Sequence, residues 1–447
     1  MYCGIDKNFH PIYEYFNDFQ TRVKKSGYGA PFLIGLESPS GIYRFDCAVF
    51  RDGVHDIENS IFGERLIKTL LWVVGGYKLH LHAPAKLFSR MSKAFCADGK
   101  RRFDIKFMEK IYEKPFSTEY KTAAGMPESS QISVSIGGNY NGCRIGFDAG
   151  GSDRKVAAVI NGNTVFADET VWHPKLNSDY RYHYDGIYDS IKKAAAFLPR
   201  VDCIGVSSAG VYVDNRAMAA SLFIKVPEAD FDKHIKDIYV NIAARFKTKL
   251  SVANDGDVAA LAGALELNDS RVLGIAMGTS QAAGYIDASG NIKGWLNELA
   301  FVPVDMQKDA PVDEWSGDKG CGVKYFSQDS VIRLAEAVGV KLNGKLSPHD
   351  KLKYIQNLYN SNPLIEKVFS DIGVYFGYSI LYYSLFYDIK YVLLLGRASG
   401  GLGGDVIKNK TEEILRSKGN DIKIVLPDES RRRVGQAITA ASLPKVD

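Results

Sequence analysis

Paired cysteines, a basic and apolar leader, and a dominant charge are all missing from this sequence. Its six cysteines (Cys3, Cys47, Cys96, Cys143, Cys203 and Cys321) lie far apart with no C-x-x-C spacing. That argues against a disulfide framework and for reduced thiols in a cytoplasmic protein. The opening stretch MYCGIDKNFHPIYEYF has neither the basic start nor the apolar core of a secretion signal. Lysine and arginine total 56 against 52 acidic residues, and the two signs are interspersed, a balance that argues neither for nor against nucleic acid. One segment, residues 368–389, is long enough to span a bilayer, but it carries Asp371, three serines and five tyrosines. It is expected to be a helix buried in a large domain, with no membrane anchor.

What is present is an α/β rhythm. At 447 residues the chain is too long for one ordinary core, and two or three domains are expected. Residues 1–135 read as an α+β region of their own that opens with a hairpin, FLIGLES and IYRFDCAVF around Pro39, Ser40 and Gly41. SIFGERLIKTLLWVVGG has helical spacing and stops at Gly75 and Gly76, and YKLHLHAP reads as a strand. No helix-turn-helix spacing is found there, so no nucleic-acid partner is expected. Residues 123–131 (AAGMPESSQ) are small and polar, the natural linker. From Cys143 onward strands and helices alternate, the pattern of an α/β fold.

Duplication is the informative feature. RIGFDAGGSDRKVAAVI (144–160) and VLGIAMGTSQAAGYI (272–286) both read apolar strand, Gly-hydroxyl turn, apolar strand, which suggests two similar lobes facing a cleft. Glycine lets backbone amides point at a ligand with no Cβ in the way, and successive amides make a nest for an anion. Gly150, Gly151 and Ser152 form the first such turn; Gly278, Thr279 and Ser280 form the second. Asp148, at a strand end, can hold a hydrated magnesium ion beside phosphates, and Lys155 or Arg154 can neutralise further charge. One turn alone is equally a hairpin without a ligand, whereas two matched turns point to one polyphosphate.

A third glycine cluster, LGRASGGLGGDVI, follows a strand and opens a helix, but a G-x-G-x-x-G spacing fails at Val406. Gly396, Gly400 and Gly401 are assigned to adenosine contact in preference to a purely structural turn. In KLSVANDGDVAALAGAL, Asn254 and Asp255 end a strand before an alanine-rich helix. Asp257 is the candidate cap of that helix. Asp255 is then free to accept a hydroxyl proton while Asn254 orients the acceptor.

DAGGSDRK, AND, MGTS and LGRASGG occur in the order and approximate spacing of the ROK family of sugar kinases, which the chain resembles over about 143–447. The resemblance implies two ribonuclease-H-like lobes of the actin/hexokinase-type ATPase fold around a cleft. The first would span 143–256 and the second 257–429, with a closing helix at 430–445 packed back on the first. It also implies ATP and Mg2+ as cofactors, a small-molecule sugar substrate, Asp255 as the catalytic base and Asn254 as a sugar contact. Ser207 and Ser208, in VDCIGVSSAG, match the small-residue loop beside the sugar.

Departures from the family are informative too. Its Glu-x-Gly-His stretch reads NELAF here: Glu298 remains as a sugar contact, but Ala300 and Phe301 replace the glycine and the zinc-binding histidine. In SGDKGCGVKYFS, Cys321 stands alone and Val323 replaces a second sugar glutamate. One cysteine with phenylalanine and valine cannot build a tetrahedral site, so no zinc is expected. His80 and His82 share a strand face without a third ligand and are assigned to packing. Arg431, Arg432 and Arg433, beside Asp428 and Glu429, are assigned to a solvated face.

The expected activity is therefore ATP-dependent phosphoryl transfer to a hydroxyl of a sugar or sugar-like substrate. A non-catalytic sugar or nucleotide sensor of the same family is the alternative, and retention of Asp255 favours catalysis. Residues 1–135 keep three open roles: shielding the cleft, a homodimer contact, or a partner surface.

Overall fold

The structure, a computed structural model, describes residues 4–132, 137–427 and 435–446. Cys3 and the arginines at 431–433 lie outside them. The chain begins with a helix, α1 (Ile12–Ser26), and not with the hairpin expected. Ile12, Phe16, Phe19 and Val23 fall on one buried face at helical spacing, but Pro11 holds the cap position and no side chain caps the start. The hairpin follows as β1 (Gly29–Ser38) and β2 (Gly41–Phe50), with Ser38 opposite Gly41 across the turn. Helix α2 (Asp56–Val73) ends just ahead of Gly75, whose φ is 82°. Then come β3 (Lys78–His82), α3 (Ala85–Ala94), α4 (Arg102–Tyr112) and β4 (Ser117–Tyr120), giving a sheet of order β2-β1-β3-β4. The stretch 123–131, expected as a linker, is pinned to β2 near its end: the Ser130 N–H donates to the Ile42 carbonyl at 2.9 Å.

A second sheet starts with the antiparallel strands β5 (Cys143–Ala149), β6 (Asp153–Ile160) and β7 (Asn163–Val171). After α5 (Tyr180–Ala195), β8 (Cys203–Ser208) runs parallel to β5. The ribbon β9 (Val211–Val213) and β10 (Arg216–Ala219), the short α6 (Glu228–Asp230) and α7 (Ile238–Phe246) lead to β11 (Lys249–Asn254), parallel to β8. The order is β11-β8-β5-β6-β7. Strand alternation sends Val156 and Ala158 of β6 into the core with Ile187, Ile191 and Ile242. Ala157 and Val159 face the other way, onto α13 (Gly435–Ala441).

Two glycines let that helix approach. Gly146 and Gly205 are register partners on β5 and β8, and a Cβ on either would stand 1.7 Å from a carbonyl oxygen of α13, that of Ala437 or Ala440. The buried Arg144 then closes the helix end, its Nη1 donating to the carbonyls of Ala441 at 3.3 Å and Pro444 at 2.7 Å.

The remaining elements are α8 (Asp255–Leu267), β12 (Val272–Met277), β13 (Gln281–Ile286), α9 (Gln328–Ala337), α10 (Pro348–Asn357), α11 (Pro363–Tyr383), β14 (Tyr391–Leu395), α12 (Leu402–Ser417) and β15 (Lys423–Val425). They include a sheet of order β13-β12-β14-β15. Helix α11 carries most of the apolar run and is buried along most of its length. No helix among the described residues is long and apolar enough to cross a membrane.

The chain packs into two compact units. One comprises Met1–Ile132, Ile275–Ala283 and Gly294–Leu426; the other comprises Ser133–Gly274, Gly284–Lys293 and Pro427–Asp447. The N-terminal region therefore shares a core with later parts of the chain. The Ile5 N–H donates to Asp371 Oδ2 at 2.7 Å, and the Thr69 and Tyr382 hydroxyls bond at 3.0 Å.

Candidate active site

Three neighbouring strand ends gather the polar residues of the candidate site. Asp148 pairs in register with Ser207, and Ser207 with Ala253, so that Asn254 pairs with Ser208 and Asp255 follows as the first residue of α8. Ser207 Oγ donates to Asp148 Oδ1 at 2.7 Å. Lys155, opposite Asp148 on β6, places its Nζ 2.6 Å from Asp153 Oδ1 and 3.7 Å from Asp148 Oδ2. Asp148 is only 2 % exposed. Burial raises its pKa to about 6, with the charges of Asp255 and Asp153 adding to the rise and Ser207 and Lys155 opposing it. Burial of the Asp255 carboxyl raises its pKa as well, opposed by the Gly256 N–H at 3.0 Å and by the charge of Lys175. A carboxylate of raised proton affinity at a strand end has the chemistry of a general base.

The helix cap is Asn254 and not Asp257. Asn254 has non-helical φ and ψ of −59° and 144°, and its Oδ1 accepts the Gly256 N–H at 2.8 Å. Asp257 already lies inside the first turn, and its Oδ1 accepts the Tyr285 N–H at 3.1 Å instead. Asn254 Nδ2 also donates to the Gly210 carbonyl at 2.7 Å. Ser208 Oγ accepts from Tyr212 at 2.6 Å and from Tyr239 at 2.9 Å. Asn254, Ser207 and Ser208, expected as sugar contacts, thus bond to the protein itself.

In the first glycine turn, a Cβ on Gly150 would stand 2.8 Å from the Asp153 carbonyl oxygen, so that glycine serves the turn. A Cβ on Gly151 would meet only Lys175 Cε, at 4.0 Å. Ser152 Oγ donates to Asp153 Oδ2 at 3.0 Å. Arg154 Nε donates to Ser190 Oγ at 2.9 Å, so Lys155 is the one of the two candidate cations that stays with Asp148. Trp172 and Lys175, which follow β7, come to this turn without any sequence motif to mark them. Their only signal is position in a loop that returns to the turn, visible once the meander is folded.

The other unit carries the second and third glycine clusters, and they meet. Gly278 donates its N–H to the Ser280 carbonyl at 2.9 Å, while Thr279 and Ser280 are exposed. Gly396, at φ 95°, lies against this turn so closely that a Cβ would stand 2.4 Å from the Met277 carbonyl oxygen. Gly400 sits beside Arg397, and Gly401, at φ 61°, holds the cap position of α12.

Glu298 lies on a stretch held by the end of α2. The N–H groups of Leu296, Asn297 and Glu298 donate to the carbonyls of Val74, Val73 and Trp72 at 3.3, 3.1 and 2.9 Å. Phe301 stacks on Trp72 with ring centroids 4.2 Å apart. Cys321 is buried, and burial pushes its thiol up to about 12. Nearby, Asp318 Oδ2 pairs with Arg65 Nη1 and Arg101 Nη1 at 2.7 Å each and with Lys68 Nζ at 3.2 Å. Rings and a buried ion cluster therefore occupy the stretch that resembles a zinc loop. Among the described residues no three His, Cys, Asp or Glu side chains group as metal ligands. His80 Nε2 lies 3.1 Å from Glu37 Oε2, and His82 Nδ1 lies 3.0 Å from the Lys121 carbonyl oxygen.

No protein-family model and no curated protein matches the sequence. Solved structures do. A ROK hexokinase from Thermus thermophilus matches with a TM-score of 0.53 at 14% identity, over 67% of this chain and 97% of that one. The chain has the ROK fold. A Listeria monocytogenes protein provisionally assigned as an N-acetylmannosamine kinase matches at TM-score 0.50 and 15% identity, over 67% of this chain and 97% of its own. A ROK transcriptional regulator, homolog of the E. coli MLC protein, matches at TM-score 0.50 and 15% identity, over 71% and 81%. Solved structures with this fold include kinases and a regulator, so the fold by itself assigns no role.

Proposed function

We propose that the protein is an ATP-dependent kinase that phosphorylates a hydroxyl of a sugar or sugar-like substrate, with Asp255 as general base. The observation that carries this reading is the placing of Asp148 and Asp255 at the ends of the two strands that flank β8, on the side of the first glycine turn, both with pKa raised by burial. Asp255 takes the acceptor hydroxyl proton as that oxygen attacks the γ-phosphorus of ATP; the bond to the β,γ-bridging oxygen breaks and ADP leaves. Asn254 acts by position, fixing the start of α8 and hence Asp255. Ser207 does the same for Asp148, and Ser208 ties its loop to two tyrosines.

The donor at Asp148 suits magnesium: a hard carboxylate, with water and phosphate oxygens to complete the shell, and no cluster of three His, Cys, Asp or Glu ligands among the described residues that would suit a softer metal. When bound, that ion supplies charge neutralisation to the phosphates. Gly150, Gly151, Ser152 and Lys155 receive phosphate oxygens. Gly278, Thr279 and Ser280 offer a second phosphate turn, and Gly396, Gly400 and Gly401 a surface for adenosine. Glu298 contacts the acceptor, on a stretch that α2 and the Asp318 cluster hold without zinc.

Coupled ADP-release assays over a sugar panel test the reading. At least one sugar should stimulate ADP release by the wild type, and Asp255→Asn should lower that rate by roughly 10²–10⁴-fold. A sugar-dependent rate that survives the substitution removes Asp255 from the role of base. The second reading, a sugar or nucleotide sensor, is favoured by the internal commitments of Ser207, Ser208 and Asn254, and a regulator is among the structures that share the fold. It requires calorimetric binding of a sugar or nucleotide with no ADP release for any sugar.

A further inference from the structure

No motif marks the loop between β7 and α5, yet it is fastened to the first glycine turn at two points. Trp172 Nε1 donates to the Gly150 carbonyl at 2.8 Å, and the Trp172 N–H donates to the Ser152 carbonyl at 3.1 Å. The indole is buried. Beyond it the His173 N–H donates to the Tyr182 hydroxyl at 3.0 Å, Asn177 Nδ2 donates to the His173 carbonyl at 2.7 Å, and Pro174 is buried at the head of a single 3-10 turn, Pro174–Leu176. The loop is held from both sides, and the cation it presents is Lys175.

Two features single out that lysine. Its side chain is the one group near the space that Gly151 leaves open, Cε passing 4.0 Å from the place of a Cβ. Gly151 has neither a left-handed φ nor a packing clash to require glycine, so the bareness there serves an approach from outside. The other cations are committed, Lys155 to Asp153 and Arg154 to Ser190, whereas exposed Lys175 has no hydrogen bond or ion pair among the described residues. Its charge also reaches Asp255, where it opposes the effect of burial.

We propose that Lys175 is a catalytic cation that closes over the anion held by the turn at 150–152, contacting the phosphoryl group in transfer to the acceptor. The inference rests on the kinase reading. The turn lies among Asp148, Asp153 and Asp255, and a phosphoryl group adds negative charge to them. Phosphoryl transfer is driven largely by positioning and charge neutralisation, so a free ammonium on a flexible stem above a fixed turn fits that need.

The test uses the full chain as wild type, Lys175→Met and Lys175→Arg, with MgATP as titrant in calorimetry and the sugar-stimulated ADP release followed across pH. An exposed lysine leaves folding intact, which matched unfolding midpoints verify. Lys175→Met should weaken MgATP binding about tenfold, lower kcat by roughly 10²-fold, and move the acid limb of kcat/KM to higher pH, because Asp255 loses its positive neighbour. Lys175→Arg should recover the limb and part of the rate. A Lys175→Met protein with wild-type binding, kcat and acid limb overturns the role of Lys175 and leaves the kinase reading intact. A wild type that binds no MgATP overturns that reading, and this inference with it.

Discussion

At Asp148 the role proposed for the carboxylate and the stability of the fold oppose each other. Its carboxyl pKa is about 6 in the fold against an ordinary 3.8, so the folded chain holds the proton more tightly than the unfolded one. Between those two values stability falls as pH rises, and above about 6 the whole cost, on the order of 3 kcal/mol, is present. Asp148→Asn abolishes the ionisation while an amide oxygen can still accept from Ser207. The variant should unfold at a higher temperature than wild type at neutral pH, lose that advantage near pH 4, and fail in phosphoryl transfer. Thermal melts at the two pH values decide it. The strand-end positions of Asp148 and Asp255 were legible in the sequence because an acid at the end of an apolar strand, followed by glycine or a helix, is a local pattern. Lys175 was not, because its relation to Gly151 depends on a loop returning across the sheet. The misassigned cap at Asp257 shows the same limit at short range: Asn254 and Asp257 both had suitable side chains, and only the backbone angles at 254 separate them.

At element scale, helix α2 holds the stretch around Asp318 through a buried ion cluster. Asp318 faces Arg65, Lys68 and Arg101, whose charges hold its carboxyl far below the usual range despite burial. Lys68 is fully buried and also bonds Asp104 at 3.0 Å. Asp318→Asn leaves these cations short of one partner, and the expected cost is about 3–5 kcal/mol, read from urea denaturation. A loss below about 0.5 kcal/mol would mean the cluster is a solvated one in solution. This arrangement was hidden from the sequence: Arg65 and Asp318 are 253 residues apart. Helix α1 was closer to legible, since Ile12, Phe16, Phe19 and Val23 keep helical spacing, but the absence of a capping side chain removed the usual start signal. The hairpin and the end of α2 carried their own turn residues, Pro39, Ser40 and Gly75, and were read correctly.

For the molecule as a whole, the alternation of strands and helices after Cys143 was enough to give an α/β fold, and the glycine turns with the AND segment pointed to the ROK fold that the structure has. The packing of residues 1–132 into one unit with 294–426 could not be read, because it is carried by contacts such as Ile5 with Asp371 that no local pattern encodes. The close seat of α13 was foreshadowed by Gly146 and Gly205, yet two glycines in two strands acquire meaning only when the strands are paired. The central claim is phosphoryl transfer with Asp255 as the base. The most direct measurement is 31P NMR of the protein incubated with MgATP and the sugar panel. The account predicts a phosphate-ester resonance growing in step with ADP for at least one sugar, and no such growth with Asp255→Asn. An ester formed equally by the variant, or bound sugar and nucleotide with no ester at all, would contradict it.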